Sequence, residues 1–253
     1  MSKRVLALVA HPDDAEFLCV GTMALLGRAG WELYITTMTA GDCGSKELSR
    51  EEISAIRRKE AAASAKLIKA EYECLEFSDM LITYDSTSIV TVLSHVRKVK
   101  PHMVFTMSPT CYIVDHEITS NLVRTACFTA GMANIITPGV SAFDRIPHLY
   151  YLDPIEGKDK LGNPVEPSLV VDISEVIDLK SEMLACHESQ REWLRRHHGM
   201  DQYLEAMKQQ SERTGSKIGV TYGEGFRQHL GHAYPQDDLI RNVLGKFATI
   251  NSV

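Results

Sequence analysis

Apolar positions along the first half of the chain alternate between two rhythms. Short, largely apolar runs occur at Val5-Leu6-Ala7-Leu8-Val9, Trp31 to Met38 and Met103 to Met107, and have the length of strands, and Glu73 to Phe77 is a further short strand candidate. Between them lie helical stripes. Phe17, Val20, Met23, Ala24 and Leu26 form the first, and Ile53, Ile56, Ala63, Leu67 and Ile68 the second, within a helix expected over Ser49 to Ala70. Ser49 is placed to cap that helix, with Glu51 and Glu52 in its first turn. Another helix is expected over Ser86 to Lys100, ended by Pro101, and one more opens at Asp115-His116 and runs through Ile118, Leu122, Val123 and Ala126. Strand and helix in strict alternation predict an α/β fold: a Rossmann-like, mostly parallel sheet with helices on both faces.

The rhythm changes after Ile135. Pro147 to Leu152 and Ser168 to Ile173 read as strands, and Gly157 to Pro167 as a polar excursion or hairpin. Ser174 or Asp178 can start a helix to about Gln190. A helix-rich tail follows, with Tyr222-Gly223-Glu224-Gly225-Phe226-Arg227 inside it. No sharp boundary divides the chain. The expectation is a single domain over 1–253, with a core over 1–135 and a helix-rich C-terminal extension over 136–253 that completes the site.

Candidate chemistry sits where strands hand over to helices. His11-Pro12-Asp13-Asp14 follows the first strand, and Asp115-His116 follows the fourth, so both lie on the carboxyl side of the sheet, where open α/β sheets bind ligands. Pro12 confines His11 to extended geometry and favours a fixed turn. Adjacent carboxylates do not easily point the same way, so one can hold a metal while the other faces a substrate or water. The plainer alternative is that Asp13 and Asp14 cap a helix.

The string Ala10-His11-Pro12-Asp13-Asp14, with Asp115-His116 later, resembles the motifs of the PIG-L/LmbE-like family, zinc-dependent N-deacetylases that mostly act on N-acetylglucosamine-type sugars. The resemblance implies a metal held by His11, Asp14 and His116, with a position left open for water. Zinc is the default, and iron, cobalt or nickel fit the same donors. It implies Asp13 as the general base when water activated at the metal attacks the amide carbonyl. Arg57 and Asp79 match substrate-contacting positions. The plainer readings are a surface ion pair of Arg57 with Glu60, and a turn-forming Asp79. Asp115 matches a group that accepts from a histidine nitrogen, or caps the following helix.

One departure stands out. The family usually has His-Pro-Asp-His at the second motif; here the string is Ile113-Val114-Asp115-His116, so the polarising histidine is missing. Tyr112 is one replacement for it through its hydroxyl, with a buried tyrosine whose hydroxyl is satisfied as the alternative. His187, in a His-x-Ser-Gln string, is a second replacement, or a structural histidine. His197 and His198 lie in a charged stretch and are expected to be exposed. Tyr222, Glu224 and Arg227 resemble a late family string and are expected in the site wall. The missing histidine also keeps open a non-catalytic sugar- or metal-binding protein.

Composition narrows the classes. Of 253 residues, 44% are hydrophobic and 24% charged, with a net charge of −6, which fits a globular enzyme and argues against a nucleic-acid surface. Six cysteines with no CxxC pair suit a reduced, cytoplasmic protein. The apolar run after Met1-Ser2-Lys3-Arg4 imitates a leader but stops too soon, at His11, and no run approaches the roughly 20 residues of a membrane span. No G-x-G-x-x-G follows the first strand, and no G-x-S-x-G is present, which speaks against dinucleotide binding and a serine nucleophile. The expected partner is a small amino-sugar substrate, without nucleic acid or membrane. Oligomeric state stays open, since family members often assemble.

Overall fold

The computed structural model describes residues 3–191 and 202–251. Strands β1 (Arg4–Val9), β2 (Glu32–Thr39), β3 (Glu71–Phe77), β4 (Met103–Thr106), β5 (His148–Leu152), β6 (Leu169–Asp172), β7 (Gly223–Gln228) and β8 (Ala248–Ile250) form one sheet. Their order is β3-β2-β1-β4-β5-β7-β6-β8. The first five are mutually parallel, whereas β7 pairs antiparallel with both β5 and β6, and β8 antiparallel with β6. The chain is thus an α/β protein with a mostly parallel sheet covered by helices.

Both faces of β1 are covered, which is why its sequence is continuously apolar rather than alternating. Val5, Ala7 and Val9 join one core with α1 (Asp14–Leu18), α2 (Val20–Arg28), α6 (Ile177–Ala185), α7 (Gln202–Ser216) and α8 (Leu239–Leu244). Leu6 and Leu8 join the other, with α4 (Ser86–Val99) and α5 (Val114–Thr129). The first helical stripe is broken into α1 and α2 at Cys19, whose φ of −147° is not helical. Helix α3 (Arg50–Leu67) starts as the sequence predicts. Ser49 accepts from the Glu52 backbone N–H while Glu52 accepts from that of Ser49, a reciprocal cap.

The tail departs from the helix-rich expectation. Tyr222 to Arg227 leads into β7, which inserts between β5 and β6, and β8 closes the far edge. Two glycines at alternate positions weaken the strand pattern there, and pairing on both sides supplies what local propensity lacks.

His95 on α4 is buried at 5% exposure, with Nε2 2.8 Å from Thr36 Oγ1 on β2 and no hydrogen bond at Nδ1. Burial pushes its pKa down to about 4, against the opposing pull of Glu73. Between about 4 and the ordinary 6.5 the unfolded chain binds this proton and the folded chain does not, so stability rises with pH across that window. At about 1.4 kcal/mol per pKa unit, native stability should fall by about 3 kcal/mol from pH 7 to pH 4 through this residue. Urea unfolding across that range checks it. His95→Gln should flatten the profile, and an unchanged slope would refute the assignment.

Candidate active site

Strands β1 and β4 are hydrogen-bonded neighbours, and the strand order reverses between them. The loops leaving their carboxyl ends therefore splay apart into a crevice, the position at which such sheets take ligands. His11 to Asp14 lie after β1, and Ile113 to His116 lie at the start of α5 after β4. The crevice has a volume of about 440 Å³, and His11, Asp13, Asp14, Arg57, Asp79, Tyr112 and His116 are among its lining.

Neither front carboxylate caps α1. Asp14 Oδ2 instead accepts from the His11 backbone N–H at 2.7 Å and lies 3.3 Å from His11 Nδ1, while Oδ1 lies 3.3 Å from His116 Nε2. Donor atoms of His11, Asp14 and His116 all fall within 4.8 Å of one another. Burial disfavours the charged imidazoles. Hydrogen bonds to Asp115, Asp14 and Asp79 nonetheless raise His11 well above its ordinary pKa, and the Asp14 carboxylate raises His116 to about 9. Two imidazoles and a carboxylate converging on one point, with a cleft beside them, fit a divalent transition metal with an open position.

The remaining ring nitrogens are also held. His11 Nε2 lies 3.1 Å from Asp79 Oδ1 and 3.4 Å from Asp115 Oδ2, and His116 Nδ1 lies 3.2 Å from Cys111 Sγ. Such partners fix ring orientation in a metal-binding histidine. Asp115 is fully buried, accepts from the Met80 N–H at 2.8 Å, and is not the cap of α5, whose N-cap is Ile113. Donor atoms of Asp42, Cys43 and Asp79 also cluster, but Asp42 is already engaged by Asp79 N–H and Arg50, and Asp79 by Cys43 N–H.

Asp13 has a φ of 102°, a left-handed conformation that is strained for a residue with a side chain. Arg57 Nη2 donates to Asp13 Oδ2 at 3.2 Å and to the Pro12 carbonyl at 2.8 Å. Burial lifts the pKa of Asp13 above the ordinary value, opposed by Arg57 and by a hydrogen bond from Tyr203. Arg57 therefore makes no pair with Glu60, which accepts from the backbone and hydroxyl of Ser189.

Tyr112 is 68% exposed, edge-on to His116 with ring centroids 5.8 Å apart, and its hydroxyl has no hydrogen-bond partner among the described residues. The reading of a buried tyrosine with a satisfied hydroxyl does not hold. Ile113 also lines the cleft. His187 is brought near but not in. It has 0% exposure, so no surface opens to the cleft, and its Nε2 lies 3.2 Å from Glu16 Oε1, which also accepts from Ser64. His197 and His198 lie outside the described residues.

The late string does not line the cleft either. Glu224 accepts from Gly21 N–H, Thr22 N–H and Lys180 at 2.9, 2.6 and 2.6 Å, anchoring the start of α2. A Cβ on Gly21 would lie 2.9 Å from that carboxylate, so only glycine fits. Arg227 donates to Ser108 Oγ and the Leu152 carbonyl. Sequence reasoning missed Tyr203, Cys111 and the Glu16–His187 pair. Glu16 follows Asp14 by two residues and was the one legible hint; the others gain meaning only from distant partners.

A strand-order switch with a His-Asp-His donor set and a neighbouring buried carboxylate defines the class of α/β proteins with a candidate metal-binding crevice. Within it, residues 6–127 match the family model described as "PIG-L: GlcNAc-PI de-N-acetylase". It is 28% identical over 193 residues to diacetylchitobiose deacetylase of Thermococcus kodakarensis, covering 74% of this chain and 70% of that protein. It is 23% identical over 239 residues to 4-oxalmesaconate hydratase of Pseudomonas putida, covering 89% and 88%. The structure of N,N'-diacetylchitobiose deacetylase from Pyrococcus horikoshii superposes with a TM-score of 0.77 at 27% identity, over 94% of this chain and 89% of that one. Among the described residues no helix is long and apolar enough to cross a membrane.

Proposed function

We propose that this chain is a metal-dependent hydrolase that removes an acyl group, acetyl in the simplest case, from the amide of an N-acylated amino sugar. The observation that carries this reading is the convergence of His11, Asp14 and His116 beside Asp13 in an open crevice. The deacetylase relatives support the choice of an amide substrate. When bound, zinc or another divalent ion supplies Lewis acidity, lowering the pKa of water and polarising a carbonyl oxygen.

The chain's own groups do the rest. His11 and His116 are oriented by Asp79, Asp115 and Cys111. Asp13 takes a proton from the attacking water and returns it to the departing amine, a task suited to a carboxylate whose pKa burial has lifted. Arg57 and Tyr203 hold Asp13 in place. Ile113 offers no donor to the oxyanion, and the unpaired hydroxyl of Tyr112 takes that role. Arg57 acts on the base and Asp79 on His11, so substrate contact at Asp79 is limited to the edge it shows the cleft.

A second reading, hydration of a carbon–carbon double bond, is favoured by the hydratase relative and by Ile113. Among the described residues lining the cleft, Arg57 is the only lysine or arginine, and Pro12 and Asp13 already engage it. A substrate with several carboxylates finds no free cationic partner there, which places the amide reading first.

Metal analysis and amine release test the proposal. Purified native chain should hold roughly one divalent ion, and His116→Ala far less. A chelator should abolish amine release from N-acetylglucosamine conjugates, and zinc should restore it. Full metal occupancy without turnover of any acylated amine would overturn the enzyme in favour of a binding protein, and equal metal content in His116→Ala would overturn the ligand set.

A further inference from the structure

Arg227 lies outside the crevice, yet it reaches the loop that carries Tyr112. Strand β7 sets its place, pairing antiparallel with β5 so that Arg227 stands opposite Tyr151. From there Nη2 donates to Ser108 Oγ at 2.8 Å and to the Leu152 carbonyl at 3.1 Å. Residues two apart on a strand share a face. On the face of Arg227, a Cβ at Gly225 would lie 2.0 Å from Asp153 Oδ2, so the glycine lets that carboxylate lie against the strand. Asp153 is 6% exposed, and its Oδ1 is enclosed with no hydrogen-bond partner among the described residues. Its charge opposes the penalty that burial puts on the charged guanidinium. The cation is therefore anchored on β5 and β7 before it meets Ser108.

Ser108 passes that anchorage on. It is 1% exposed, and its hydroxyl donates to the Thr110 carbonyl at 2.6 Å while accepting from the Thr110 N–H and from Arg227. The one donor and both acceptor positions of the hydroxyl are thus filled. Further along, the Cys111 N–H donates to Glu117 Oε1 at 3.2 Å, and Lys160 holds the same carboxylate at 3.0 Å. Among the described residues no N–H between 109 and 113 donates to a backbone carbonyl, so these side chains shape the loop. Tyr112 adds no polar hold of its own. Its ring meets His116 edge-on and its hydroxyl is unpaired, so the loop backbone decides where the hydroxyl stands.

We propose that Arg227 is a positioning residue: by gripping Ser108 it fixes the loop from which Tyr112 reaches the oxyanion. The inference rests on the deacylase reading above and on the role given there to Tyr112. It gives the inserted strand β7 a task at the crevice that none of its side chains touches directly.

The test is a double-variant cycle in kcat, read as amine release from N-acetylglucosamine conjugates by metal-loaded protein. Tyr112→Phe should lower kcat by about 10²-fold, the effect of losing one oxyanion donor. Arg227→Met should lower it by about tenfold or more, as a misplaced donor does, with metal content and KM near native. In the Tyr112→Phe background, Arg227→Met should cost less than about threefold, because the hydroxyl it places is gone. A purely structural arginine would lower kcat alike in both backgrounds, and equal losses overturn the proposal. So does a native kcat in Arg227→Met or in Tyr112→Phe. Ser108→Ala keeps the guanidinium beside Asp153 and should match Arg227→Met, so the cycle can be run on it if that chain does not fold. Hydrogen exchange at the Cys111 amide needs no turnover. It should quicken about tenfold in Arg227→Met and in Ser108→Ala while α5 is unchanged, and unaltered exchange overturns the proposal. If the native chain releases no amine, the deacylase reading fails, and exchange at Cys111 then decides by itself whether Arg227 holds the loop.

Discussion

Asp13→Asn should lower kcat for amide hydrolysis by about 10²- to 10⁴-fold while metal content stays at the native level. Asparagine keeps the shape of the side chain and an oxygen to accept from Arg57, but it cannot take a proton. It also tolerates the left-handed backbone at this position better than most residues, so the strained turn survives the exchange. Because Asp14, His11 and His116 are untouched, KM and metal stoichiometry should change little. Steady-state kinetics with metal analysis on the same samples reads the outcome. A loss smaller than about tenfold would remove Asp13 from the role of base.

Lys180→Met should cost about 3–5 kcal/mol of stability, the largest effect expected away from the crevice. Lys180 and Glu224 are 1% and 3% exposed, and their contact of 2.6 Å lies beneath α2. Removing the ammonium leaves a buried carboxylate with only two backbone N–H donors. The double variant Lys180→Met, Glu224→Leu should recover part of the loss, since no unpaired charge remains. Recovery should be incomplete, because Gly21 and Thr22 then lose their acceptor where α2 begins. Urea midpoints of the three proteins measure this, and a Lys180→Met chain within about 1 kcal/mol of native would refute it.

This pair also shows where reading the sequence stops. Glu224 belongs to a string that suggests the site wall, yet its partners are 44, 202 and 203 residues away, and it secures α2 from behind. His187 is similar. A histidine beside a Ser-Gln string invites a catalytic role, but its ring is fully enclosed, 3.2 Å from the Glu16 carboxylate. Tyr112 errs in the other direction, because nothing in the chain nearby says whether an aromatic residue at a loop end is covered. A polar side chain can satisfy itself with many partners, and neighbours in sequence do not select among them.

The sequence by itself determined the alternating strands and helices of the first half, the reciprocal cap at Ser49 and Glu52, and the placing of His11, Asp13, Asp14 and His116 at the carboxyl ends of two strands. Each follows from local periodicity or from the chemistry of a few adjacent residues. Only the tertiary structure decided that β1 and β4 lie side by side, which brings His116 to within 3.3 Å of Asp14 across about a hundred residues of chain. It alone placed β7 inside the sheet and left Asp153 buried without a donor. Contacts of that range are set by how whole elements pack, and packing depends on surfaces that no single stretch of sequence contains.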